Sequence, residues 1–377
     1  MNSDWKTINP QGHFRVLITR RMIGEQWIRE LTDAGARLDI SALDAPLSKA
    51  AILEGIGSSC VGAIGQLYEP WDKDVLSRFK EAGGRVFSNY AVGYNNVDVA
   101  AATSLGIRVG NTPDVLTETT AELGVALTFA AARRIPEGDA YTRAGKFTSW
   151  SPTLYLGDLL WRKTLGLVGP GRIGSAYARM MVQGHRMDLL YLGRKANPIL
   201  EREMEAFNAF LTAQGEAPLR CVRAESIRQL VSASDVVALF PSLNESTKHL
   251  INAERLRQMK PNAILVNVSR GPVVDEQALV EHCRRNPDFH AALDVYEQEP
   301  KLAPGLQELS NVVMMPHVGS GTRWTREAMA LIAAKNVAGI LTGKPVWTGP
   351  NVLPFLGENP PDAVPSIVNA KELGILR

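Results

Sequence analysis

Residues 164–174 read TLGLVGPGRIG, a short apolar run followed at once by a glycine-rich turn. Three glycines have the spacing G-x-G-x-x-G: Gly169, Gly171 and Gly174. In a strand–turn–helix unit the first glycine permits a tight turn, and the second lets a pyrophosphate approach the backbone. The third lets the helix pack closely on the strand. Arg172 and Ile173 open the predicted helix, whose N-terminal N–H groups favour an anion. The stretch therefore predicts a dinucleotide-binding unit.

Apolar runs alternate with helical patterns on both sides of this turn. Strands are predicted over 14–19, 37–40, 61–67, 85–88, 164–168, 188–192, 219–223, 235–240, 263–268, 291–295 and 312–315. Long helices are predicted over 117–132 and 325–341. Strands separated by helices of about 10–15 residues are typical of parallel sheets. The predicted fold class is α/β, with two doubly wound parallel sheets of the Rossmann type.

The composition bounds the class of protein. The chain has 377 residues, a formal net charge of +2, 45% hydrophobic residues and 21% charged residues. This length predicts two domains, and the composition excludes disordered, fibrous and polyelectrolyte proteins. A balance so close to neutral gives no sign of a nucleic-acid partner. The most apolar stretch, 123–132, is half of the roughly 20 residues that a membrane span requires, so no membrane is expected.

Cysteines and terminal sequences favour a cytoplasmic location. The three cysteines, an odd number without a C-x-x-C pair, are typical of free thiols in a reducing compartment. Residues 1–14 lack the apolar core of a signal peptide, and the chain does not end in the peroxisomal address S-K-L. The histidines lack metal-ligand spacing, so no metal is expected.

The residues that follow the second strand of the dinucleotide unit bear on the choice of cofactor. A carboxylate about 20 residues after the glycine turn would bind the ribose 2′-hydroxyl of NAD. Gly193 stands at that point, and Arg194 and Lys195 follow it. Cationic side chains pair with a 2′-phosphate, and arginine does so with a planar fork. We therefore expect NADP(H) to be preferred, with NAD(H) as the alternative, unless the two cations form only a solvated basic turn.

Three polar residues follow successive strands in the second half of the chain: Arg270, Glu299 and His317. Ligands of open α/β sheets bind outside the carboxyl ends of the strands, so these side chains are expected to converge. Histidine suits proton transfer to a reduced ketone, and a neighbouring carboxylate favours the protonated ring and orients it. Arginine suits the carboxylate and carbonyl of a 2-oxo acid.

With these motifs the sequence resembles the D-2-hydroxyacid dehydrogenase family, over roughly residues 14–345. Within that family it is most similar to the plant-type hydroxypyruvate and glyoxylate reductases. The matching stretches are NYAVGYNNVD at 89–98, GPGRIGSAYARMM at 169–181, NVSRGPVVD at 267–275, LDVYEQEP at 293–300, Pro316-His317, TREAM at 325–329 and NPPDAVPSIVN at 359–369. Two features depart from those relatives. An acidic residue usually stands where this chain has Gly193, and the peroxisomal address is missing.

The resemblance implies a role for each matched residue. His317 would be the general acid in reduction, Glu299 its partner and Arg270 the group that binds and polarises the 2-oxo acid. Asp294 would hold the nicotinamide carboxamide. The substrate carboxylate would be bound by the backbone N–H groups of Ala91, Val92 and Gly93. The adenosine side of the cofactor would be lined by Pro241 and Thr247.

The resemblance also implies the domain organisation and the assembly. The cofactor domain, 119–329, would be inserted into a discontinuous substrate domain made of 1–118 and 330–377, with a cleft between them. The family is usually dimeric, so we expect a homodimer with the helix from Thr117 as a candidate interface. Trp150 and Trp324 are interpreted as packing residues. The alternative is that one of them lines the substrate pocket, either within its own chain or across a dimer interface.

The expected function is NADPH-dependent reduction of hydroxypyruvate to D-glycerate, with glyoxylate as a second substrate. Two alternatives stay open. One is another D-2-hydroxyacid dehydrogenase, of the D-lactate or phosphoglycerate type. The other is a dinucleotide-sensing binding protein, similar to the transcriptional corepressors on this fold, which keep a similar Arg/Glu/His set.

Overall fold

A computed structural model describes residues 5–376 and divides the chain into two compact units. The first unit comprises Met1–Leu116 and Ser320–Arg377, and the second comprises Thr117–Gly319. The second boundary predicted from the sequence, 329/330, falls inside a helix that belongs whole to the first unit. That helix packs on the first unit's sheet, and near its N-terminus the hydroxyl of Tyr90 donates to the carbonyl of Arg326 at 2.7 Å.

The first unit contains a six-stranded sheet in the order β1-β3-β2-β4-β5-β6. β1 runs antiparallel to β3, and the other neighbours are parallel. Its elements are β1 (Trp5–Ile8), β2 (Phe14–Ile18), α1 (Gln26–Asp33), β3 (Ala36–Ser41), α2 (Lys49–Ile56), β4 (Gly62–Gly65), α3 (Lys73–Glu81), β5 (Val86–Asn89), α4 (Val99–Ser104), β6 (Arg108–Gly110) and α12 (Arg323–Leu341), with a 3₁₀ turn at Leu353–Leu356.

The C-terminal part of the chain completes this first unit. Thirteen of the nineteen residues of α12 are buried, and the helix packs against α1, β4 and β5. The Asn336 side chain donates to the Asn111 carbonyl at 2.9 Å and accepts from the N–H of Ser366 at 2.9 Å. Beyond it, the N–H of Val368 donates to the carbonyl of Val109 in β6 at 2.7 Å. The segment that follows α12 is therefore attached to the sheet edge at β6.

The second unit contains a fully parallel seven-stranded sheet in the order β13-β12-β11-β10-β7-β8-β9. Its elements are α5 (Thr117–Ala132), α6 (Ile135–Arg143), β7 (Thr164–Val168), α7 (Arg172–His185), β8 (Asp188–Leu192), α8 (Pro198–Ala213), β9 (Cys221–Arg223), α9 (Ile227–Ala233), β10 (Val236–Leu239), α10 (Ala253–Gln258), β11 (Ile264–Asn267), α11 (Glu276–Arg285), β12 (His290–Leu293) and β13 (Val312–Met314), with 3₁₀ turns at Gly271–Val273 and Leu306–Glu308.

Alternate residues of these strands face two separate hydrophobic cores. In β10, Val236 and Ala238 pack with residues of α5 and α7, whereas Val237 and Leu239 pack with residues of α9 and α11. Because successive side chains of a strand point to opposite faces, a strand that is apolar throughout must be covered on both sides. The two-core arrangement confirms the doubly wound fold class predicted for this unit. Its functional loops are left at the strand ends.

Candidate active site

The glycine turn between β7 and α7 has the form that the sequence predicts. Gly169 has a φ of +84°, and a Cβ there would lie 2.7 Å from the carbonyl carbon of Phe240. A Cβ on Gly174 would lie 2.3 Å from the carbonyl oxygen of Gly169. Both positions therefore require glycine, the first for its backbone conformation and its close neighbour, the second for close packing of helix on strand.

The second glycine faces open space. A Cβ on Gly171 would meet no atom within 4 Å, and no side chain caps the N-terminus of α7 there. Arg172 and Ile173 form the first turn of that helix, as predicted. An open backbone at a helix N-terminus is the environment that a pyrophosphate needs. The residues present therefore fit a bound dinucleotide.

The end of β8 carries the basic residues that the sequence singled out, and the structure adds a third. Gly193, Arg194 and Lys195 follow β8 directly, and both cations are exposed. The guanidinium of Arg223, at the end of β9, donates to the carbonyls of Gly193 at 3.1 Å and Arg194 at 3.2 Å. Sequence reasoning missed Arg223 because only the pairing of β8 with β9 brings it to this loop.

The two residues predicted to line the adenosine side follow β10. The backbone nitrogen of Pro241 lies beside the glycine turn, 2.7 Å from the Cβ position of Gly169. The hydroxyl of Thr247 donates to the Ser242 carbonyl at 2.7 Å and accepts from the N–H of Asn244 at 2.9 Å. Thr247 therefore closes its own loop, and its predicted contact with the cofactor stays a prediction.

Arg270 lies in the loop after β11, and its neighbours fix its backbone. The Asn267 amide donates to the Arg270 carbonyl at 3.0 Å and accepts from the N–H of Ser269 at 3.1 Å. At the next residue, a Cβ on Gly271 would lie 1.8 Å from the carbonyl carbon and oxygen of Tyr296. The loops after β11 and β12 are therefore in direct backbone contact, which ties the position of Arg270 to the segment that leads to Glu299.

Glu299 and His317 form a hydrogen-bonded pair. Oε2 of Glu299 lies 2.8 Å from Nδ1 of His317, and Oε1 accepts the N–H of Tyr296 at 2.8 Å. The two side chains are 11% and 22% exposed, so the pair is largely shielded from water. His317 has a φ of +54°, in the left-handed region that non-glycine residues rarely adopt. Such backbone conformations concentrate at functional sites.

Asp294 holds the turn that follows His317. Its two carboxylate oxygens accept the N–H groups of Val318 and Gly319, each at 2.7 Å. Burial raises the pKa of Asp294, although the two N–H groups and the nearby His317 oppose that shift. The structure therefore gives Asp294 a positioning contact that the sequence did not predict. Its contact with a nicotinamide carboxamide stays a prediction.

The predicted substrate loop, Ala91–Gly93, belongs to the first unit and follows β5. Its three carbonyls accept from the N–H of Thr112 and the side chains of Asn111 and Asn89, at 2.8–2.9 Å. Within residues 5–376, none of the loop's three N–H groups donates to another protein atom. Donors held in this way suit a carboxylate.

The chain is similar to known enzymes over nearly its whole length. A family model described as the D-isomer specific 2-hydroxyacid dehydrogenase NAD binding domain matches residues 125–319. The peroxisomal glycerate dehydrogenase HPR of Arabidopsis thaliana is 51% identical over 371 residues, covering 97% of this chain and 96% of that protein. The chain belongs to the D-2-hydroxyacid dehydrogenase family. It is therefore an NAD(P)-dependent oxidoreductase, which favours the enzyme interpretation over a binding protein.

Solved structures agree with this membership of the D-2-hydroxyacid dehydrogenases. The TT0316 protein of Thermus thermophilus aligns with a TM-score of 0.78 at 37% identity, covering 94% of this chain and all of that one. The NADPH-dependent glyoxylate/hydroxypyruvate reductase of Sinorhizobium meliloti, in complex with NADP and malonate, aligns with a TM-score of 0.70 at 26% identity. That alignment covers 89% of this chain and 96% of that chain.

This dehydrogenase also has polar features that sequence reasoning missed. Nε2 of His249 lies 2.6 Å from Oε1 of Glu297, so the second unit contains a second histidine–glutamate pair. In the first unit, Nε2 of Gln66 is buried and has no hydrogen-bond partner among residues 5–376. Gln66 follows Gly65, whose carbonyl accepts from Tyr90 at 2.9 Å, so it adjoins the loop at 91–93. Neither feature has a sequence signal, because both depend on which loops meet.

The described residues offer neither a metal site nor a membrane span. Across residues 5–376, no group of three or more His, Cys, Asp or Glu side chains is placed to hold a metal ion. Over the same range, every helix is too short or too polar to cross a membrane.

Proposed function

We propose that the protein reduces hydroxypyruvate to D-glycerate with NADPH, and glyoxylate to glycolate as a secondary activity. The observation that carries the proposal is the placement of Arg270, Glu299 and His317. They follow three adjacent parallel strands, β11, β12 and β13, at the edge where open α/β sheets bind ligands. The hydrogen bond between Glu299 and His317 pairs the proposed proton donor with the carboxylate that orients it.

The chemistry divides between the cofactor and the side chains. Bound NADPH supplies the hydride that adds to the carbonyl carbon of the 2-oxo acid. The proton for the carbonyl oxygen comes from His317, through Nε2, because Nδ1 is already bonded to Glu299. Arg270 binds the 2-oxo acid and stabilises the charge that develops on its oxygen. The N–H groups of Ala91, Val92 and Gly93 bind the substrate carboxylate.

The preference for NADPH is supported by charge at the end of β8. Gly193 carries no carboxylate, while Arg194, Lys195 and Arg223 place three cations on the same loop or against it. A 2′-phosphate is an anion with several acceptor oxygens, and it pairs well with guanidinium groups. The name of the Sinorhizobium meliloti relative includes NADPH-dependence, which agrees with this proposal.

The substrate is supported by the names of relatives, glycerate dehydrogenase and glyoxylate/hydroxypyruvate reductase. A substrate panel tests it: hydroxypyruvate, glyoxylate, pyruvate and 3-phosphohydroxypyruvate, each with NADPH and with NADH, followed by nicotinamide absorbance. We expect the highest kcat/KM for hydroxypyruvate with NADPH, and a lower one for glyoxylate. A higher kcat/KM for pyruvate or 3-phosphohydroxypyruvate would support the D-lactate or phosphoglycerate alternative. An NADH preference of about tenfold, equal to about 1.4 kcal/mol, would overturn the cofactor assignment.

We further propose that the protein is a cytoplasmic homodimer. Large apolar side chains are exposed in the segment between α5 and β7: Ile135, Phe147, Trp150, Leu154, Leu156, Leu159 and Trp161. The same segment and Arg133 line a cavity of about 490 Å³. Trp150 is 80% exposed and Trp324 60%, so neither is a packing residue within its own chain. Large exposed apolar patches mark interaction sites. Sedimentation tests the dimer by comparing wild type with the double variant that carries Trp150→Ser and Leu159→Ser. We expect the double variant to be monomeric.

Cell fractionation tests the proposed cytoplasmic location.

A further inference from the structure

We propose that Pro170 and Gly193 form a coupled pair that keeps a ribose-binding carboxylate out of the cofactor site and thereby selects a cofactor with a 2′-phosphate. The inference deepens the proposed function and rests on its NADPH preference. It concerns how the chain excludes NADH, whereas the cationic residues concern how it attracts NADPH. Specificity commonly uses both an attractive and a repulsive element.

There is little room for a side chain at Gly193. A Cβ on this residue would lie 2.9 Å from both Cδ and Cγ of Pro170, and 3.1 Å from the carbonyl oxygen of Lys195. The backbone of Gly193 is not among those with positive φ, so other residues could adopt its conformation. The requirement for glycine therefore comes from the proline ring and not from the backbone.

Both sides of this contact are held in place by hydrogen bonds. The carbonyl of Pro170 accepts from the Asn197 amide at 2.9 Å, and this bond ties the glycine turn to the loop after β8. Arg223 holds the same loop through the carbonyls of Gly193 and Arg194. A proline ring cannot rotate away as a flexible side chain would. A side chain at position 193 therefore requires the proline ring or the loop after β8 to shift against these contacts.

The contact between Pro170 and Gly193 lies where the choice of cofactor is made. The carboxylate that binds the ribose 2′-hydroxyl of NAD belongs at the end of this second strand. With Pro170 present, an aspartate at position 193 must displace the proline ring or the loop in order to fit. The site is then limited to residues without such a carboxylate, and Arg194, Lys195 and Arg223 determine which ribose it binds.

A double-mutant cycle on the cofactor-free protein tests the packing step. The variants are Gly193→Asp, Pro170→Ala and the double variant, with Gly184→Asp as a matched control. A Cβ on Gly184 would meet no atom within 4 Å, so the control adds the same charge in open space. We expect Gly193→Asp to lower Tm by about 3–8 °C and the double variant to recover at least half of that loss. The control should stay within about 2 °C of wild type.

Dissociation constants for NADPH and NADH, measured by titration of the same proteins, test the selection step. Wild type should bind NADPH more tightly. Gly193→Asp alone should lose affinity for both cofactors, and the double variant should bind NADH at least tenfold more tightly than that single variant. Additive effects in the cycle, or a Gly193→Asp variant as stable as wild type, would overturn the coupling. Tighter binding of NADH by wild type would instead overturn the proposed NADPH preference, and the cycle measured without cofactor distinguishes the two failures.

Discussion

Nδ1 of His317 lies 2.8 Å from Oε2 of Glu299, while the backbone of His317 stays in the left-handed region at a φ of +54°. A left-handed backbone costs a non-glycine residue on the order of 1–3 kcal/mol. The two hydrogen bonds from Val318 and Gly319 to Asp294 stabilise the turn that follows and help to offset that cost. The geometry of the pair therefore depends on a second, buried carboxylate that holds the backbone beyond the histidine.

Replacing His317 by alanine should lower kcat by about 10²–10⁴-fold, because a positioned general acid contributes rate enhancement of that size. The dissociation constant for NADPH should change little. His249→Ala is the matched control, since it removes the other histidine–glutamate pair without touching the proposed acid. Steady-state kinetics and cofactor titration measure both. Wild-type kcat in the His317 variant would contradict the assigned role.

Replacing Arg270 by lysine should raise KM for the 2-oxo acid and lower kcat/KM by about 10²-fold, since lysine keeps the charge but loses the planar fork of donors. Stability should be close to wild type, because Asn267 holds this loop through the backbone carbonyl of residue 270, which lysine keeps. Substrate saturation curves at fixed NADPH provide the measurement. A kcat/KM that lysine preserves would mean that Arg270 acts only as a distant charge.

Replacing Gly271 by alanine should destabilise the second unit by about 3 kcal/mol or more, because the new methyl would overlap the Tyr296 carbonyl. Activity should fall as well, since the same loop carries Arg270. Gly138→Ala, in α6, is the control: its Cβ meets nothing within 4 Å, and alanine should stabilise that helix by up to about 1 kcal/mol. Urea unfolding measures both. Equal stability of the two variants would show that the loops can separate.

Replacing Asp39 by asparagine should remove a pH-dependent contribution to the stability of the first unit. Burial opposes ionisation of this carboxylate, but hydrogen bonds from Arg15 and Thr7 and the charges of Arg15 and Arg37 outweigh it, and the pKa of Asp39 is lowered. A group whose pKa is lower in the folded state stabilises it at any pH above its unfolded pKa, about 3.9, and loses this contribution as pH falls through the folded value. Unfolding at pH 7 and pH 3 should therefore show a deficit of about 2 kcal/mol for the variant at pH 7 that shrinks at pH 3. A deficit independent of pH would refute the charge argument.

The native protein should resist thiol reagents at neutral pH. Burial raises the pKa of Cys60 and of Cys283 to about 12, and that of Cys221 to about 11, so thiolate is scarce at all three. Cys221, which is partly exposed, should react first, and faster as pH rises. Labelling with iodoacetamide followed by mass analysis tests this order. Rapid loss of activity at pH 7 would point to a thiol role that the structure does not show.

Most strands were predictable because their apolar runs are continuous, and the predicted bounds of β7, β8 and α5 match the structure. β1 was missed because it is a short, partly exposed edge strand, and β6 because it has only three residues. α6 was missed because none of its residues is buried, so it has no apolar stripe; Pro136 is in its first turn, where proline leaves no internal bond unmade.

Residues of the candidate site were predictable only where they directly follow a predicted strand. Arg270, Glu299 and His317 each come shortly after an apolar run, so a parallel sheet brings them to one edge. Arg223 and the second role of Asp294 depend on which strands pair and which backbone groups a loop presents. No periodicity in the sequence encodes such contacts.

The discontinuity of the first unit has a consequence for the order of folding during synthesis. Its sheet is encoded before Leu116, but α12, which covers β4 and β5, ends at Leu341, about 225 residues later. At about 5–20 residues per second, the ribosome takes on the order of 10–45 seconds to supply that cover. The second unit is contiguous and can fold meanwhile. Until then the surface of β4 and β5 that α12 covers in the folded protein has no helix over it, and exposed apolar surface of this kind is what chaperones shield during synthesis.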